Sequence, residues 1–307
     1  MKKILALTLA MLMILSMAAC SVSDGSDVTV PQSDKQDNST TAPVEDTEPV
    51  EDTTPATPTL EEMVLVDDEN CTIKITGVET DSFWGYGLKV YLENKTDLNL
   101  MFSVSNASVN GFMCDPLWAK EIAAGLKTNE TITWMSTEFD KNGIKTPTDI
   151  EMTFSVSDSD DWTADDLVND TFTIYPLGED AVVPYVRQSV EGETVLFDNE
   201  YCTMIVTGFD PDNLFGYSMN VYLENKTDKN LMFSMDDAAV NGFACDPFWA
   251  SAIAAGKRSN TAITWFDSTL EENEITTIEK ITGSITVSDA DDWMADDLVN
   301  EAFEVTP

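Results

Sequence analysis

The sequence contains no histidine, and only 16 of its 307 residues are lysine or arginine, against 56 aspartates and glutamates. Without histidine, the chain lacks the commonest general base and zinc ligand, so no Ser–His or Cys–His mechanism is available. A net charge of −40 opposes binding to nucleic acid, because lysine and arginine supply most of that affinity. G-x-S-x-G and phosphate-binding glycine motifs are also missing. We therefore expect neither an enzyme, nor an organic cofactor, nor a nucleic-acid partner.

Residues 1–19 have the parts of an export signal: basic residues at 2–3, an apolar run over 4–16 and small residues before Cys20. The apolar run is shorter than the roughly 20 residues that a membrane span needs. The ending MAAC resembles the lipobox of bacterial lipoproteins. This resemblance implies cleavage before Cys20 and a lipid on its sulfur, which holds the protein on the extracytoplasmic face of the cell membrane. The alternative is an ordinary secretory signal followed by an unrelated cysteine.

Residues 20–59 are rich in serine, threonine, proline and acidic residues and have almost no large apolar side chain. Such a segment cannot bury enough apolar surface to offset the entropy lost on ordering. We therefore predict a disordered acidic linker that follows the lipidated cysteine and separates the membrane from the folded part.

The remainder of the sequence repeats itself. The four other cysteines form two pairs with one spacing, since 202 − 71 and 245 − 114 both equal 131. The blocks VYLENKTD, NLMFS and ADDLVN recur at that same spacing. The period is far longer than that of a solenoid repeat, so each copy is expected to fold as its own domain. We predict domains over 60–177 and 195–307, joined by a linker over 178–194 whose apolar stretch VVPYV either docks on a domain or acts as a tether.

Each copy contains two cysteines, which leaves Cys20 unpaired and available for the lipid. Disulfides are favoured in an oxidising compartment outside the cytoplasm. We therefore predict bridges Cys71–Cys114 and Cys202–Cys245, each contributing about 3–4 kcal/mol by restricting the unfolded chain. The alternative is four free, buried thiols.

Apolar and polar residues alternate over 86–94, which indicates a half-buried strand, and a polar NKTD turn leads into a second strand. Seven short strands of this kind are predicted in each copy, with helical turns only over 118–125 and 137–143. This pattern is typical of an all-β fold, here two tandem immunoglobulin-like antiparallel β-sandwich domains.

The succession of apolar strand, N-K-T-D, apolar strand and V-N-G resembles the immunoglobulin-like domains of surface lipoproteins in Gram-positive bacteria. Those domains are similar to telokin-like and immunoprotective-antigen-like secreted domains. The resemblance covers both copies and implies a β-sandwich at the cell surface. It brings no catalytic residue to either copy.

Each copy also has a loop dense in aspartate, SDSDDWTADDLVND in the first copy. Clustered carboxylates suit Ca²⁺, which takes 6–8 oxygen ligands. The candidate calcium ligands are Asp158, Asp160, Asp161, Asp165, Asp289, Asp291, Asp292 and Asp296. The loop departs from an EF-hand, because Thr163 stands where glycine is needed. The alternative is a solvated turn that follows a strand.

The segments NGFMCDPLWA and NGFACDPFWA place Trp118 and Trp249 in loops beside Asp-Pro. Aromatic residues in constrained loops are typical anchors of binding interfaces, which makes both tryptophans candidate partner-binding residues. In the alternative interpretation they pack against the edge of the sandwich.

We therefore predict a membrane-anchored, noncatalytic binding or adhesion module whose partner is a protein or a glycan at the cell surface. Two other functions are compatible with the sequence. One is a structural spacer stiffened by Ca²⁺, and the other is a regulator or inhibitor of an extracytoplasmic enzyme.

Overall fold

The computed structural model describes residues 60–292 and 294–307, which form an all-β structure with two short α-helices. The predicted signal peptide, Cys20 and the linker over 20–59 lie outside the described residues. Within the described residues, no helix has both the length and the apolar character needed to cross a membrane. The all-β, antiparallel class expected from the alternating pattern is confirmed.

The first copy has nine strands within this range: β1 (Met63–Asp67), β2 (Cys71–Ser82), β3 (Gly85–Asn94), β4 (Leu100–Val109), β5 (Phe112–Met113), β6 (Ala119–Ile122), β7 (Lys127–Met135), β8 (Ile150–Asp158) and β9 (Val168–Ile174). Helix α1 (Ser136–Lys141) follows β7. The second copy repeats every element: β10 (Thr194–Asp198), β11 (Cys202–Asn213), β12 (Gly216–Asn225), β13 (Leu231–Val240), β14 (Phe243–Ala244), β15 (Ala250–Ile253), β16 (Arg258–Phe266), α2 (Asp267–Glu272), β17 (Ile281–Asp289) and β18 (Val299–Val305).

Each copy contributes antiparallel strands to two sheets, and the parallel pairing of β5 with β16 joins one sheet of each copy into a nine-stranded sheet. In the first copy one sheet has the order β1-β2-β3-β7, and the other places β4 between β8-β9 and the short strands β5 and β6. Side chains from both sheets, such as Leu88 and Val90 of β3 and Phe102 of β4, share one buried core. Each strand therefore turns its apolar side inward, as its alternating sequence requires. The second copy repeats this arrangement around a second core.

The prediction of a helical turn over 118–125 is wrong, because residues 119–122 form strand β6 instead. This strand pairs with β4, from Leu100 opposite Ile122 to Ser103 opposite Ala119. The buried Ile122 side chain joins the core, so tertiary pairing overrides the helical tendency of the alanine-rich segment. The other expected helix, over 137–143, is confirmed by α1.

The repeated NKTD block has a structural role that centres on Asn94. The buried side-chain amide of Asn94 donates to the carbonyl oxygens of Leu98 (2.8 Å) and Ile122 (2.9 Å). Its Oδ1 atom accepts from the backbone N–H of Thr96 at 2.9 Å. One side chain thereby holds both the β3–β4 turn and the end of β6. In the second copy, Asn225 makes the corresponding bonds.

Candidate functional site

The predicted disulfides are not formed: Cys71, Cys114, Cys202 and Cys245 are free and buried. Cys71 lies opposite Asn94 at one end of β3, whereas the carbonyl of Cys114 accepts from the ring N–H of Trp134, which lies opposite Tyr86. Positions 86 and 94 are about 26 Å apart along a strand at roughly 3.3 Å per residue. A disulfide needs Cα atoms within about 7 Å, so this prediction is wrong and the alternative of free thiols is correct.

Burial also determines the reactivity of these thiols. It raises the pKa of Cys71 to about 12 and the pKa values of Cys114 and Cys202 to about 11. Burial likewise raises the pKa of Cys245. Because the thiolate is the nucleophile, thiols that stay protonated and covered at neutral pH are inert. These cysteines therefore serve the core and offer no catalytic or redox site.

We expect alkylation at pH 8 to leave all four thiols unmodified in the folded protein and to label all four after denaturation, without added reductant. The measurement is mass spectrometry of iodoacetamide-treated protein under native and denaturing conditions. The melting temperature measured with and without dithiothreitol provides the control and should be unchanged. A mass that shows two bridges, or a melting temperature that falls on reduction, would contradict the free-thiol state.

The carboxylates of the acidic loops accept hydrogen bonds from nearby residues of the same loops. Asp158 accepts from the backbone N–H of Asp160 at 2.9 Å, and Asp161 accepts from that of Thr163 at 3.0 Å. The bonds from Thr163 hold the pKa of Asp161 below its usual value. In the second copy, Asp289 pairs with Lys229 at 2.7 Å.

No three acidic or cysteine side chains are grouped to hold a metal in the part of the chain that the structure describes. The eight candidate aspartates are therefore not assembled into the predicted calcium site. These local hydrogen bonds are those of a solvated turn, which was the alternative interpretation.

Trp118 and Trp249 are placed at the edge of the sandwich. The Trp118 ring meets the buried Phe154 ring edge-on, with 6.3 Å between centroids, and Trp249 packs against the second core. This matches the alternative interpretation of these two residues. The side chains that face solvent in these loops are instead the preceding residues, Leu117 and Phe248.

Two exposed pairs of large apolar residues lie at the tips of the β2–β3 and β11–β12 hairpins, and sequence reasoning missed them. We call these pairs, Phe83–Trp84 and Leu214–Phe215, the hairpin tips. The exposed fractions of their side chains are 90% and 67% in the first copy and 86% and 64% in the second. The available signal was two large apolar residues just before the strand predicted over 86–94, repeated at the equivalent positions of the second copy.

The hairpin tips have a defined backbone. Ser82 Oγ accepts from the N–H of Trp84 at 3.1 Å, and Asn213 Oδ1 accepts from that of Phe215 at 3.0 Å. Gly85 follows with a φ of 131°, and a Cβ at this position would lie 2.1 Å from the carbonyl oxygen of Trp134. Only glycine fits so close to the neighbouring strand. The tip pairs are therefore presented on short, hydrogen-bonded turns.

The linker between the copies is docked, so its apolar stretch is not a free tether. Tyr185 contacts the Phe112 ring edge-on at 4.9 Å, and the Arg258 guanidinium lies 4.6 Å from the Tyr185 ring centroid. The backbone N–H of Arg258 donates to the carbonyl of Gly111 at 3.1 Å. Phe112 is only 3% exposed, whereas its counterpart Phe243 is 49% exposed. The junction between the copies therefore buries Phe112 of the first copy, whereas the equivalent Phe243 of the second copy is exposed.

Arg187 of the linker reinforces this junction. Its guanidinium donates to Glu193, with Nη1 at 3.1 Å from Oε1, and lies 4.8 Å from the ring centroid of Tyr222 in the second copy. The bond from Arg187 lowers the pKa of Glu193 to about 2. An ion pair also crosses between the copies, from Lys257 to Glu151 at 2.8 Å.

No known protein family model matches this chain, and no curated protein is significantly similar to it.

Proposed function

We propose that this chain is a noncatalytic binding module, anchored by lipid outside the cell membrane, which engages a surface partner through its two hairpin tips. The observation that carries the proposal is the presence of an exposed large apolar pair at the same position of both copies. Exposed apolar residues grouped on a loop are characteristic of interaction sites.

The side chains of the hairpin tips contribute little to the stability of the fold. Phe83 and Leu214 are almost fully exposed, so neither contributes appreciably to the buried cores. Phe83 and Trp84 contact each other edge-on, with 5.2 Å between ring centroids, which makes a compact aromatic knob. Such a knob loses little conformational entropy on binding and supplies a large contact area. A net charge of −40 favours solubility despite these exposed side chains.

Two tips on one chain also allow two contacts with one partner or with a repetitive surface. If both tips engage together, the second contact is intramolecular and raises the overall affinity beyond that of either copy. The predicted lipid on Cys20 and the acidic linker over 20–59 complete the proposal, because they hold the domains at the membrane yet clear of it.

The test compares cells that display the full chain with cells that display a tip variant, Phe83→Ser, Trp84→Ser, Leu214→Ser and Phe215→Ser. After surface crosslinking and purification, we expect the wild-type chain to retain a specific partner that the tip variant loses at least tenfold. Loss of several exposed aromatic anchors commonly costs more than about 2 kcal/mol of binding free energy. The melting temperature of the tip variant should match that of the wild type.

The matched control is Leu117→Ser and Phe248→Ser, which removes equally exposed apolar side chains from other loops of both copies. This control is expected to retain the partner. Equal retention by the tip variant and the wild type, or loss only in the control, would refute the hairpin tips as the binding site. Release of the protein from the membrane fraction by Cys20→Ser tests the anchor separately.

A further inference from the structure

A groove of 590 Å³ runs between the linker, the end of α1 and the outer face of the second copy. Its floor is the sheet surface at Asn220, Tyr222 and Asn260, on strands β12 and β16. One wall is the linker over 185–190 and the other is the turn over 140–143. Junctions between domains are common positions for ligand sites, and this volume is in the usual range for small ligands.

Hydrogen bonds fix the α1 wall of the groove to its floor but leave the floor around Asn220 accessible. Asn142 Oδ1 accepts from the backbone N–H and the side-chain amide of Asn260, both at 3.3 Å, which ties the α1 wall to the floor. Asn220 lies opposite Ala262 on β16 and Gly208 on β11, two small residues that leave space around its amide. The corresponding strip of the first copy has Lys89 and Thr131 in place of Asn220 and Ala262. This strip lines a depression of 520 Å³ in the first copy, but Lys89 stands there in the place of Asn220, so a groove with an amide at this position is particular to the second copy.

The two cations of the groove have acidic partners, and Asp140 adds a carboxylate to its lining. Arg187 is paired with Glu193, and Lys141 lies 3.7 Å from Glu138. The remaining hydrogen-bonding side chains include amides of Asn220 and Gln188 and the hydroxyl of Thr207. The Tyr222 side chain is only 2% exposed, so it forms the base of the groove without offering its hydroxyl to a ligand.

We propose that this groove binds a neutral oligosaccharide. Planar amides form paired hydrogen bonds with neighbouring sugar hydroxyls, since each amide offers both donors and an acceptor. The Tyr185 ring at the wall is partly exposed despite its contacts with Phe112 and Arg258, and it offers apolar surface to the C–H side of a sugar ring. An anionic ligand is disfavoured, because both groove cations have acidic partners and the chain carries a net charge of −40. This site goes beyond the proposed function, because it does not involve the hairpin tips.

The test uses the purified full chain on an array of neutral cello-, malto-, manno- and chito-oligosaccharides beside oligogalacturonates, followed by calorimetry with the neutral trisaccharide retained best. We expect Asn220→Leu to weaken that binding at least tenfold through loss of its amide bonds. Gln188→Ala, on the linker and outside every strand, provides a second variant that leaves the sheets intact and is expected to weaken binding severalfold. The matched control is Lys89→Leu, at the equivalent position of the first copy, and it should bind as the wild type does.

Three results would overturn the groove as a saccharide site. One is retention of none of the neutral oligosaccharides, and another is equal or stronger retention of the oligogalacturonates. The third is equal affinity of Asn220→Leu, Gln188→Ala and Lys89→Leu. The tip variant described above should bind the trisaccharide with unchanged affinity, so failure of the groove and failure of the hairpin tips are distinguishable.

Discussion

Replacement of Trp134 by alanine is expected to lower the free energy of unfolding of the first copy by about 3–5 kcal/mol, the range for deletion of a large buried aromatic side chain. Trp134 is 1% exposed and lies in β7 opposite Tyr86. Its ring N–H donates to the carbonyl of Cys114 at 2.7 Å, so it also holds the segment after β5 against the sheet. The substitution removes packed surface and leaves this buried carbonyl without its partner.

Urea denaturation followed by circular dichroism measures this effect. The matched control is Trp162→Ala, because Trp162 is 92% exposed in the acidic loop and its loss should change stability by less than about 0.5 kcal/mol. Trp265→Ala should reproduce the large effect in the second copy, where Trp265 donates to Cys245. Similar unfolding midpoints for Trp134→Ala and Trp162→Ala would contradict the assignment of Trp134 to the core.

Replacement of Asn94 by alanine is expected to cost about 2–4 kcal/mol, because it breaks several hydrogen bonds and leaves buried backbone groups without partners. Asn94 is 1% exposed, and its amide holds the carbonyls of Leu98 and Ile122. No small apolar side chain can replace these bonds. The expected result is a large loss in unfolding free energy, measured as for Trp134.

Asn99→Ala is the control for Asn94→Ala. Asn99 is nearby in sequence but uses its amide in an exposed bond to Asp160 at 3.1 Å, so its loss should cost only a few tenths of a kcal/mol. Equal stability of Asn94→Ala and Asn99→Ala would contradict the stabilising role of the hydrogen bonds from the Asn94 side chain. Asn225→Ala should behave like Asn94→Ala in the second copy.

The local sequence pattern predicted a strand correctly where the interactions that form it involve residues close together in the sequence. The alternation in β3 and the polar NKTD turn lead directly to the observed strand and to the turn that Asn94 holds. The local pattern failed at β6. Its four residues have no strong preference for a strand, and they pair with β4 only because the tertiary fold brings them together. The same limit hid the hairpin tips, since exposure of Phe83 and Leu214 depends on how the neighbouring strands end.

The sequence by itself determined the duplication, the all-β class and the chemistry that the chain lacks, because spacing, alternation and composition are properties of the linear chain. Only the tertiary structure decided the fate of the cysteines and the groove. Two cysteines per copy invite a bridge, but the pairing register sets Cys71 and Cys114 near opposite ends of β3. Likewise, the groove exists only where a linker, a helix end and a sheet face meet. Distances between residues remote in sequence are set by packing, which no local pattern encodes.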